Sequence, residues 1–296
     1  DVRAARIAIV TSEVGMHADT DLRLIVEALR AGGSTAEPVA WDAESVAWDR
    51  FDLAVIRSTW DYAERVGEFL AWADATARLT HLWNPAPVLR WNSDKRYLPD
   101  LAEQGVAVVP TRFIEPGGRF GEEDFQGDGG VVVKPAVSAG ATDTARYEPG
   151  RHADAMRHAR MLLDHGRVVM VQPYLRLVEE GERALVFFSG TFSHAIRKGP
   201  VLTEPGVIDN FRMPHPDVAT YRPTDEEIDT ALAALAAVPS PESPLFARVD
   251  LALDESRKPV VMELELIEPN LFLGDHPRGL ERFVDAVWLQ QMYRAG

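Results

Sequence analysis

Cysteine is absent from the 296 residues of this sequence, which excludes disulfide bonds and thiolate catalysis. No apolar run approaches the ~18 residues that a membrane-spanning helix needs, and no signal-peptide pattern precedes the first predicted strand. The sequence also lacks a Walker A motif, and no G-x-G-x-x-G follows the first strand, so the usual nucleotide-binding signatures are missing. The lack of cysteines, of a signal-peptide pattern and of long apolar runs leads us to expect a cytoplasmic protein with no membrane partner.

Basic residues are scarce relative to acidic ones. Lys and Arg number 31 and Asp and Glu number 46, which gives a net charge of −15 and a pI near 5.0. Nucleic-acid binding needs clustered basic side chains, so we expect no nucleic-acid partner. The apolar fraction of 46% and the charged fraction of 26% are those of an ordinary globular protein.

The first 90 residues alternate apolar strands with amphipathic helices. RIAIV (6–10) and LAVIRS (53–58) are typical of buried strands, and an amphipathic helix is predicted between them over 19–33. Strands that alternate with helices predict a parallel sheet covered on both faces, and hence an α/β fold class. NPAP (84–87) interrupts this pattern and places the first domain boundary near residue 90.

The rest of the chain predicts shorter elements in a different arrangement. WNSDKRYLPDLAEQGVAVVPTRFI (91–114) predicts a helix that kinks at Pro99, followed by a strand. Two strands about a Ser-Gly turn over 182–199 form a hairpin signal. The other predicted elements are a strand at 131–136, a helix at 153–166, a strand at 168–175, a helix at 224–238 with Thr224 as its N-cap, and a last helix at about 279–293.

The segment VVVKPAVSAGA (131–141) joins a buried strand to a loop of small residues through Lys134. One interpretation is a phosphate site, because a lysine at a strand end is a fixed charge and small residues let backbone N–H groups approach phosphate oxygens. A second is a nucleophile elbow around Ser138, since AVSAG nearly matches G-x-S-x-G, although Ala136 replaces the first glycine. A third is a solvated lysine beside an ordinary loop, and this stretch alone does not separate the three.

Two apolar strands near the C-terminus carry charged residues at alternate positions. In ARVDLALDESRKPVVMELELI (247–267), alternation places Arg248 and Asp250 on one face of the first strand, and Glu263 and Glu265 on one face of the second. In a simple hairpin, Arg248 lies opposite Glu265 and Asp250 lies opposite Glu263. Alternation sends three apolar side chains of the second strand to the other face: Met262, Leu264 and Leu266.

The opposed acids predict a metal site. The same register pairs Asp254 with Pro259 at the turn. Two directly opposed carboxylates destabilise a sheet unless a cation neutralises them, and Mg²⁺ prefers oxygen ligands. We therefore predict that Asp250, Glu263 and Glu265 bind a metal ion, in preference to a merely solvated strand face.

The ordered set of motifs resembles the ATP-grasp ligases, a family that includes D-alanine–D-alanine ligase and glutathione synthetase. R-V-D followed by E-L-E resembles the metal site of that family, and Lys95 in WNSDKRYL and Lys134 in VVVKP resemble its two phosphate lysines. The resemblance covers roughly residues 90–275 and implies ATP and Mg²⁺ (or Mn²⁺) as cofactors. It assigns the remaining ATP contacts to a phosphate loop of Ser138, Ala139, Gly140 and Ala141, an adenine hinge of Gln172, Pro173, Tyr174 and Leu175, and a ribose acid at Glu182.

The resemblance also implies the architecture. It is an ATP-grasp fold, α/β overall with an α+β arrangement in the ATP-grasp part. The implied domains are an N-terminal Rossmann-like domain (1–90), a small lid domain (91–178) and a C-terminal antiparallel-sheet domain with the metal site (179–296). Two features depart from the family pattern: the usual E-x-N is Glu263-x-Glu265 here, and Glu179 and Glu180 compete with Glu182 for the ribose. Dimers are common in this family, so a homodimer is one expected assembly.

The sequence also resembles a narrower branch of the family, which includes an O-ureido-D-serine cyclo-ligase. Four segments carry this resemblance: IRSTWDY (56–62), WNSDKRYL, FSHAIRK (192–198) and DNFR (209–212). This resemblance implies a small amino-acid-like substrate, whose carboxylate is phosphorylated by ATP and then attacked by a nitrogen. The implied reaction closes O-ureido-D-serine to D-cycloserine with release of CO2 and ammonia. An intermolecular carboxylate–amine ligase is the alternative in the same class. The alternatives of other classes are a serine hydrolase that uses Ser138 and a non-catalytic nucleotide-binding protein.

The remaining candidate residues concern catalysis and substrate binding. Arg248 is expected to stabilise the acyl phosphate, with Lys198 and Asn270 as further catalytic candidates. Open α/β sheets bind ligands at strand ends, and the substrate candidates there are Arg57, Ser58 and Asp61. Arg197 and Arg212 are further substrate candidates, and a plain surface role is the equally weighted alternative for both and for Lys198.

Overall fold

A computed structural model describes residues 5–211 and 217–292 of the protein. Over these ranges the chain forms three β-sheets with helices packed against them. One sheet is parallel and two are antiparallel, so the predicted mixed α/β class is confirmed. No helix in the same ranges is both long enough and apolar enough to cross a membrane.

The first sheet is the predicted parallel one, with strand order β2-β1-β3-β4. Its strands are β1 (Arg6–Thr11), β2 (Thr35–Ala40), β3 (Leu53–Ser58) and β4 (His81–Trp83), and its helices are α1 (Glu13–Ala18), α2 (Thr20–Ala31) and α3 (Val66–Ala77). The sequence analysis does not predict β2 and β4. Pro38 lowers the strand signal of β2, and β4 has only three residues.

The second sheet is antiparallel, with strand order β5-β8-β6-β7. This part of the chain contains α4 (Ala86–Asn92), α5 (Tyr97–Glu103), β5 (Arg112–Ile114), β6 (Val131–Pro135), β7 (Ala145–Tyr147), α6 (His152–Asp164) and β8 (Val169–Pro173). The predicted helix with a kink at Pro99 is wrong, because two separate helices flank residues 93–96. Pro99 lies in the first turn of α5, where its missing N–H costs no helical hydrogen bond.

The third sheet is also antiparallel, with strand order β11-β10-β9-β12-β13. Its part of the chain contains β9 (Glu182–Phe188), β10 (Thr191–Lys198), β11 (Ala219–Tyr221), α7 (Asp225–Ala236), β12 (Phe246–Leu253), β13 (Pro259–Glu265) and α8 (Pro277–Met292). The predicted hairpin turn is confirmed at Ser189 and Gly190, whose φ angles of 47° and 77° are those of a tight two-residue turn. Thr224 caps α7 as predicted and accepts from the Glu227 N–H at 3.2 Å.

The parallel sheet and the third sheet share one apolar core. Ile56 of β3 and Phe246 of β12 belong to the same buried cluster, together with Phe283 of α8. A β-carbon at Gly32, which ends α2, would lie 1.8 Å from Trp288 of α8, so only glycine allows this close contact. The packing brings the carboxyl end of β3 next to the end of β13. The domain boundaries near residues 90 and 178 stay a prediction.

Candidate active site

The acid-bearing hairpin is formed by β12 and β13, with the predicted pairing of its charged residues. Arg248 lies opposite Glu265, and Asp250 lies opposite Glu263. The predicted pairing of Asp254 with Pro259 is wrong, because Pro259 pairs with Leu253. A β-bulge between these two regions adds one residue to β13 and restores the register at the acids.

Met262 is the extra residue of this bulge, since Leu251 pairs with Val261 and Asp250 with Glu263. The prediction that Met262 shares a face with Leu264 and Leu266 is therefore wrong. Met262 packs in an apolar cluster with Ala252, whereas Leu264 and Leu266 belong to a separate core.

Arg248 and Asp250 form the centre of a buried charge network. Nε and Nη2 of Arg248 donate to the two carboxylate oxygens of Asp250 at 2.8 and 2.9 Å, and Nη2 lies 2.9 Å from Oε2 of Glu265. Lys198 of β10 donates to Asp250 at 2.6 Å and lies 3.2 Å from Glu182. The side chains of Arg248, Asp250 and Lys198 are at most 5% exposed, so these ion pairs are shielded from water.

Two more lysines approach the network, one from the second sheet and one from the segment between α4 and α5. Nζ of Lys95 lies 3.1 Å from Oε1 of Glu263 and donates to the carbonyl of Ser138 at 2.8 Å. Lys134 of β6 is half-buried, and its ammonium group makes no hydrogen bond or ion pair with any described residue. Burial lowers the pKa of Lys134, and Glu263 partly opposes this effect. Lys134 is thus a cation without a direct anionic partner in these ranges.

The protonation of the three acids follows from their neighbours. Burial raises the pKa of Asp250, but Arg248 and Lys198 hold it well below its usual range. Burial raises the pKa of Glu263 as well, and the nearby lysines bring it below the usual value. Glu265 differs, because burial and the two neighbouring acids raise its pKa to about 7 despite Arg248. Negative charge is therefore unfavourable at Glu265, and a cation bound beside it would relieve this effect.

The acids fit a metal ion only in part as they stand. Nowhere in residues 5–211 and 217–292 are three acidic or histidine side chains arranged to hold a metal ion. Asp250 has both oxygens engaged by Arg248 and Lys198. Glu263 and Glu265 are 29% and 25% exposed and line a cleft. Mg²⁺ is commonly held by one or two carboxylates together with substrate phosphates, so these two glutamates fit it.

Side chains from α4 and α5 hold the edge strand that carries the glutamates. The amide of Asn92 donates to the carbonyl of Leu264 at 2.8 Å and accepts from the N–H of Leu266 at 2.9 Å. The hydroxyl of Tyr97 accepts from the N–H of Leu264 at 2.8 Å. These contacts take the place of a neighbouring strand, so the WNSDKRYL segment fixes β13 as well as supplying Lys95.

The predicted phosphate loop follows β6. Gly140, Ala141 and Asp143 have φ angles of 61°, 58° and 51°, a left-handed conformation that is uncommon for residues with a β-carbon. Backbone N–H groups in such turns can form anion-binding concavities. The hydroxyl of Ser138 contacts Nζ of Lys95 and the carbonyl of Pro135, both at 3.4 Å, and hydrogen-bonds to no histidine or carboxylate among the described residues. A Ser-His-Asp arrangement is therefore absent there.

The predicted adenine hinge lies beside an apolar cluster. Tyr174 and Leu175 pack in it with Val132, Ala252 and Met262, and such a surface suits a planar base. Gln172 and Pro173 end β8, and the amide of Gln172 donates to Thr111 at 2.9 Å.

The three acids that compete for the ribose role differ in their contacts. Glu180 forms a two-point contact with Arg257 at 3.0 and 2.9 Å, and Glu179 is exposed. Glu182 alone of the three pairs with Lys198 and so belongs to the charge network.

The substrate candidates of the parallel sheet do not line the cleft. Arg57 is 2% exposed and donates to the carbonyl of Pro269 at 2.7 Å and to Asp19 at 3.0 Å. Ser58 is fully buried and contacts the hydroxyl of Thr11 at 2.7 Å. Asp61 accepts from the indole of Trp41 at 3.0 Å. These side chains brace the surroundings of the cleft in the observed arrangement.

The remaining candidates are dispersed. Arg197 is exposed and points away from Lys198, its neighbour on β10. Arg212 lies outside the described residues. The carbonyl of Asn270 accepts from Arg248 at 3.0 Å, and its side-chain oxygen accepts from the Phe272 N–H at 3.0 Å, so Asn270 borders the network.

The structure brings further residues to the cleft that the sequence analysis does not single out as site residues. Tyr62, Tyr97 and Glu268 line it together with Lys95, Ser138, Glu263 and Glu265. Tyr62 and Tyr97 lie in the motifs IRSTWDY and WNSDKRYL, which is the one signal that could have found them. Glu268 follows β13 by three residues and continues the E-L-E alternation only loosely.

Solved structures define the class. The structure of D-alanine–D-alanine ligase from Bacillus anthracis complexed with ATP matches 98% of this chain and 99% of its own, with a TM-score of 0.68 at 14% identity. At this identity the likeness concerns the fold alone, and the fold is that of the ATP-grasp ligases.

Closer relatives define the family. The cycloserine biosynthesis protein DcsG from Streptomyces lavendulae is 39% identical over 293 residues, which cover 95% of this chain and 97% of the relative. The crystal structure of D-cycloserine synthetase DcsG matches 97% of this chain and 99% of its own, with a TM-score of 0.89 at 36% identity. Residues 7–84 match the family model of the D-cycloserine synthetase DcsG N-terminal domain. The chain belongs to the DcsG family of ATP-grasp ligases.

Proposed function

We propose that the protein is an ATP-dependent cyclo-ligase that converts O-ureido-D-serine to D-cycloserine, with release of CO2, ammonia, ADP and phosphate. The observation that carries this proposal is the buried contact of Arg248 with Asp250 and Glu265, beside a cleft that Lys95 enters. The 39% identity to the DcsG protein supports the choice of substrate.

ATP binds along the second sheet in this proposal. Lys95 and Lys134 contact the phosphates, and the loop of Ser138, Ala139, Gly140 and Ala141 covers them. The hinge over 172–175 holds the adenine against the apolar cluster. Glu182 binds the ribose, since it is the acid of the three that joins the charge network.

Glu263 and Glu265 would hold Mg²⁺ or Mn²⁺, and Asp250 would join them after giving up its contact with Lys198. The bound metal would supply charge neutralisation at the phosphates. Lys198 then shields the remaining negative charge next to Glu182.

The chemistry needs an activated carboxylate, because a carboxylate is a poor electrophile at neutral pH. Transfer of the γ-phosphoryl group of ATP gives an acyl phosphate. The ureido nitrogen of the same molecule attacks the acyl carbon, a carbon–nitrogen bond forms, and phosphate leaves as its bond to that carbon breaks. Hydrolysis of the carbamoyl group then gives CO2 and ammonia. Arg248 stabilises the negative charge of the acyl phosphate and the tetrahedral intermediate, with Asn270 bordering the same position.

The test is ADP release by the purified protein against a panel of amino acids that includes O-ureido-D-serine, with mass detection of products. ADP with D-cycloserine supports the proposal. A linear amide product identifies an intermolecular carboxylate–amine ligase instead, and absence of ADP with every amino acid contradicts the proposal. A cytoplasmic location and a homodimer are further parts of the proposal, and light scattering after size-exclusion chromatography tests the dimer.

A further inference from the structure

The loop after β13 is held by side chains from several elements. The carbonyl oxygens of residues 268, 269, 270 and 271 each accept a hydrogen bond from a different side chain. The donors, in that order, are Trp60 at 3.3 Å, Arg57 at 2.7 Å, Arg248 at 3.0 Å and His194 at 2.8 Å. Asp21 accepts from the N–H groups of Leu273 and Gly274, both at 2.9 Å. The backbone of this loop is therefore fixed, which limits the positions open to the side chain of Glu268.

Glu268 differs in its contacts from the other acids in and beside the cleft. Asp250 pairs with Lys198 and Arg248, Glu265 with Arg248, and Glu263 with a lysine. The carboxylate of Glu268 forms no hydrogen bond or ion pair with any residue in the ranges 5–211 and 217–292, although it lines the cleft. Burial, and then Glu265, raises the pKa of Glu268. A cation that entered the cleft would compensate the negative charge of the Glu268 carboxylate and so stabilise its ionised form.

We propose that Glu268 binds the α-ammonium group of the amino-acid substrate and thereby selects amino acids over simple carboxylic acids. The inference rests on the proposed function, in which the substrate carboxylate reacts beside Arg248. An α-ammonium group lies one carbon away from that carboxylate. The loop joins the two recognition groups, because Arg248 donates to the carbonyl of Asn270, two residues after Glu268. The carboxylate of an amino-acid zwitterion can thus contact Arg248 while its ammonium group contacts Glu268.

The test compares each accepted substrate with an analogue that lacks the amino group. For O-ureido-D-serine this analogue is 3-(ureidooxy)propionate. We expect Glu268→Gln to raise the KM for the amino acid roughly thirtyfold or more, with the KM for ATP changed less than about threefold. The wild-type preference for the amino acid over the analogue should collapse in this variant, since the variant no longer offers a charge to the ammonium group. Glu255→Gln, an exposed acid in the turn of the same hairpin, is the matched control and should keep the wild-type preference.

Three results would overturn the inference. Glu268→Gln could keep the preference for the amino acid. It could lose Mn²⁺ binding, measured by electron paramagnetic resonance with ADP, at an unchanged KM for the amino acid, which would make Glu268 a metal ligand. Finally, the wild-type protein could show no preference for any amino acid of the panel over the analogue that lacks the amino group. If only O-ureido-D-serine fails while another amino acid releases ADP, the proposed function is wrong and the comparison is made with that amino acid. Glu268→Ala, which also removes the charge, replaces the first variant if it misfolds, with circular dichroism as the folding check, and we expect the same loss of preference.

Discussion

Arg248 binds both carboxylate oxygens of Asp250, two residues along the same strand, at 2.8 and 2.9 Å. A two-point contact fixes the plane of the guanidinium group. The same group reaches Glu265 and the carbonyl of Asn270. Asp250 therefore holds Arg248 next to Glu265, which lines the cleft.

The first prediction concerns Asp250→Asn, which leaves Arg248 and Lys198 as buried cations with weakened pairing. Breaking a buried ion pair on one side typically costs about 3 kcal/mol or more. We expect a loss of that size in the free energy of unfolding, measured by denaturant titration, together with loss of most ADP formation. Asp49→Asn, at an exposed position, should change neither. A fully stable Asp250→Asn protein would show that the network contributes nothing to the fold.

The second prediction concerns Lys134→Ala. Lys134 makes no direct ion pair with a described residue, and burial lowers its pKa, so its charge costs folding energy in the absence of ATP. We expect the melting temperature to stay equal or rise, and the KM for ATP to rise about tenfold or more, because Lys134 would meet phosphates that are already charged in the ground state. Steady-state ATP kinetics and thermal melts measure both effects. Lys258→Ala removes an exposed lysine and serves as the control; an unchanged KM for ATP in Lys134→Ala would remove Lys134 from the phosphate site.

The sequence predicts the pairing of the acids in the hairpin, but it does not predict the length of the turn or the bulge. Alternation sets Asp250 opposite Glu263, and the structure agrees. The turn is one residue longer than predicted, because Pro259 pairs with Leu253, and the bulge at Met262 compensates. Every residue of β13 is compatible with a regular strand, so the chain carries no local signal for the bulge.

Contacts between residues far apart in the chain explain why the sequence analysis missed the support of β13 and the burial of Arg57. Asn92 and Tyr97 hold the edge strand from 167 residues or more away in the chain, and no spacing rule connects such positions. The WNSDKRYL motif accordingly predicts a phosphate lysine but not the support of β13. Arg57 lies at a strand end, as ligand-binding residues often do, yet its partners Asp19 and Pro269 bury it. Strand-end position alone does not separate a ligand contact from a brace.

The third prediction separates the phosphate loop from a nucleophile elbow. Ser138→Ala removes a hydroxyl whose contacts are 3.4 Å long, whereas the carbonyl of Ser138 keeps its 2.8 Å contact with Lys95. We expect ADP formation to stay within about threefold of wild type, because contacts of this length contribute little. Lys95→Ala is the positive control and should lose most activity. An inactive but folded Ser138→Ala protein would support the hydrolase alternative.

The fourth prediction concerns the metal. Glu263→Gln should remove most ADP formation while the fold persists, since the side chain is 29% exposed and keeps its shape. Chelation with EDTA should stop the wild-type enzyme, and added Mg²⁺ or Mn²⁺ should restore it. Calorimetric titration of Mn²⁺ with ADP present measures the metal affinity directly, which should fall in Glu263→Gln. Full turnover in EDTA would contradict the assignment of a metal to these acids.

The last prediction concerns pH and the loop after β13. His194 is buried, and its ring contacts the carbonyl of Leu271 at 2.8 Å and the hydroxyl of Ser193 at 2.8 Å. Burial lowers the pKa of His194 to about 4 from the ordinary 6.5. His276 stacks on it at 4.5 Å with a pKa that burial also lowers, and Arg282 disfavours and Asp21 favours the protonated form of His194.

The direction in which stability changes with pH follows from the lowered pKa of His194. His194 is neutral in the folded protein, so its contribution to stability is fully present above pH 6.5 and is lost as the pH falls towards 4. The loss amounts to about 3 kcal/mol in the free energy of unfolding. Denaturant titrations at several pH values across this range should show a smaller fall for His194→Gln than for wild type, while His17→Gln, at an exposed position, behaves as wild type. Equal pH dependence in wild type and His194→Gln would show that another group causes the acid sensitivity.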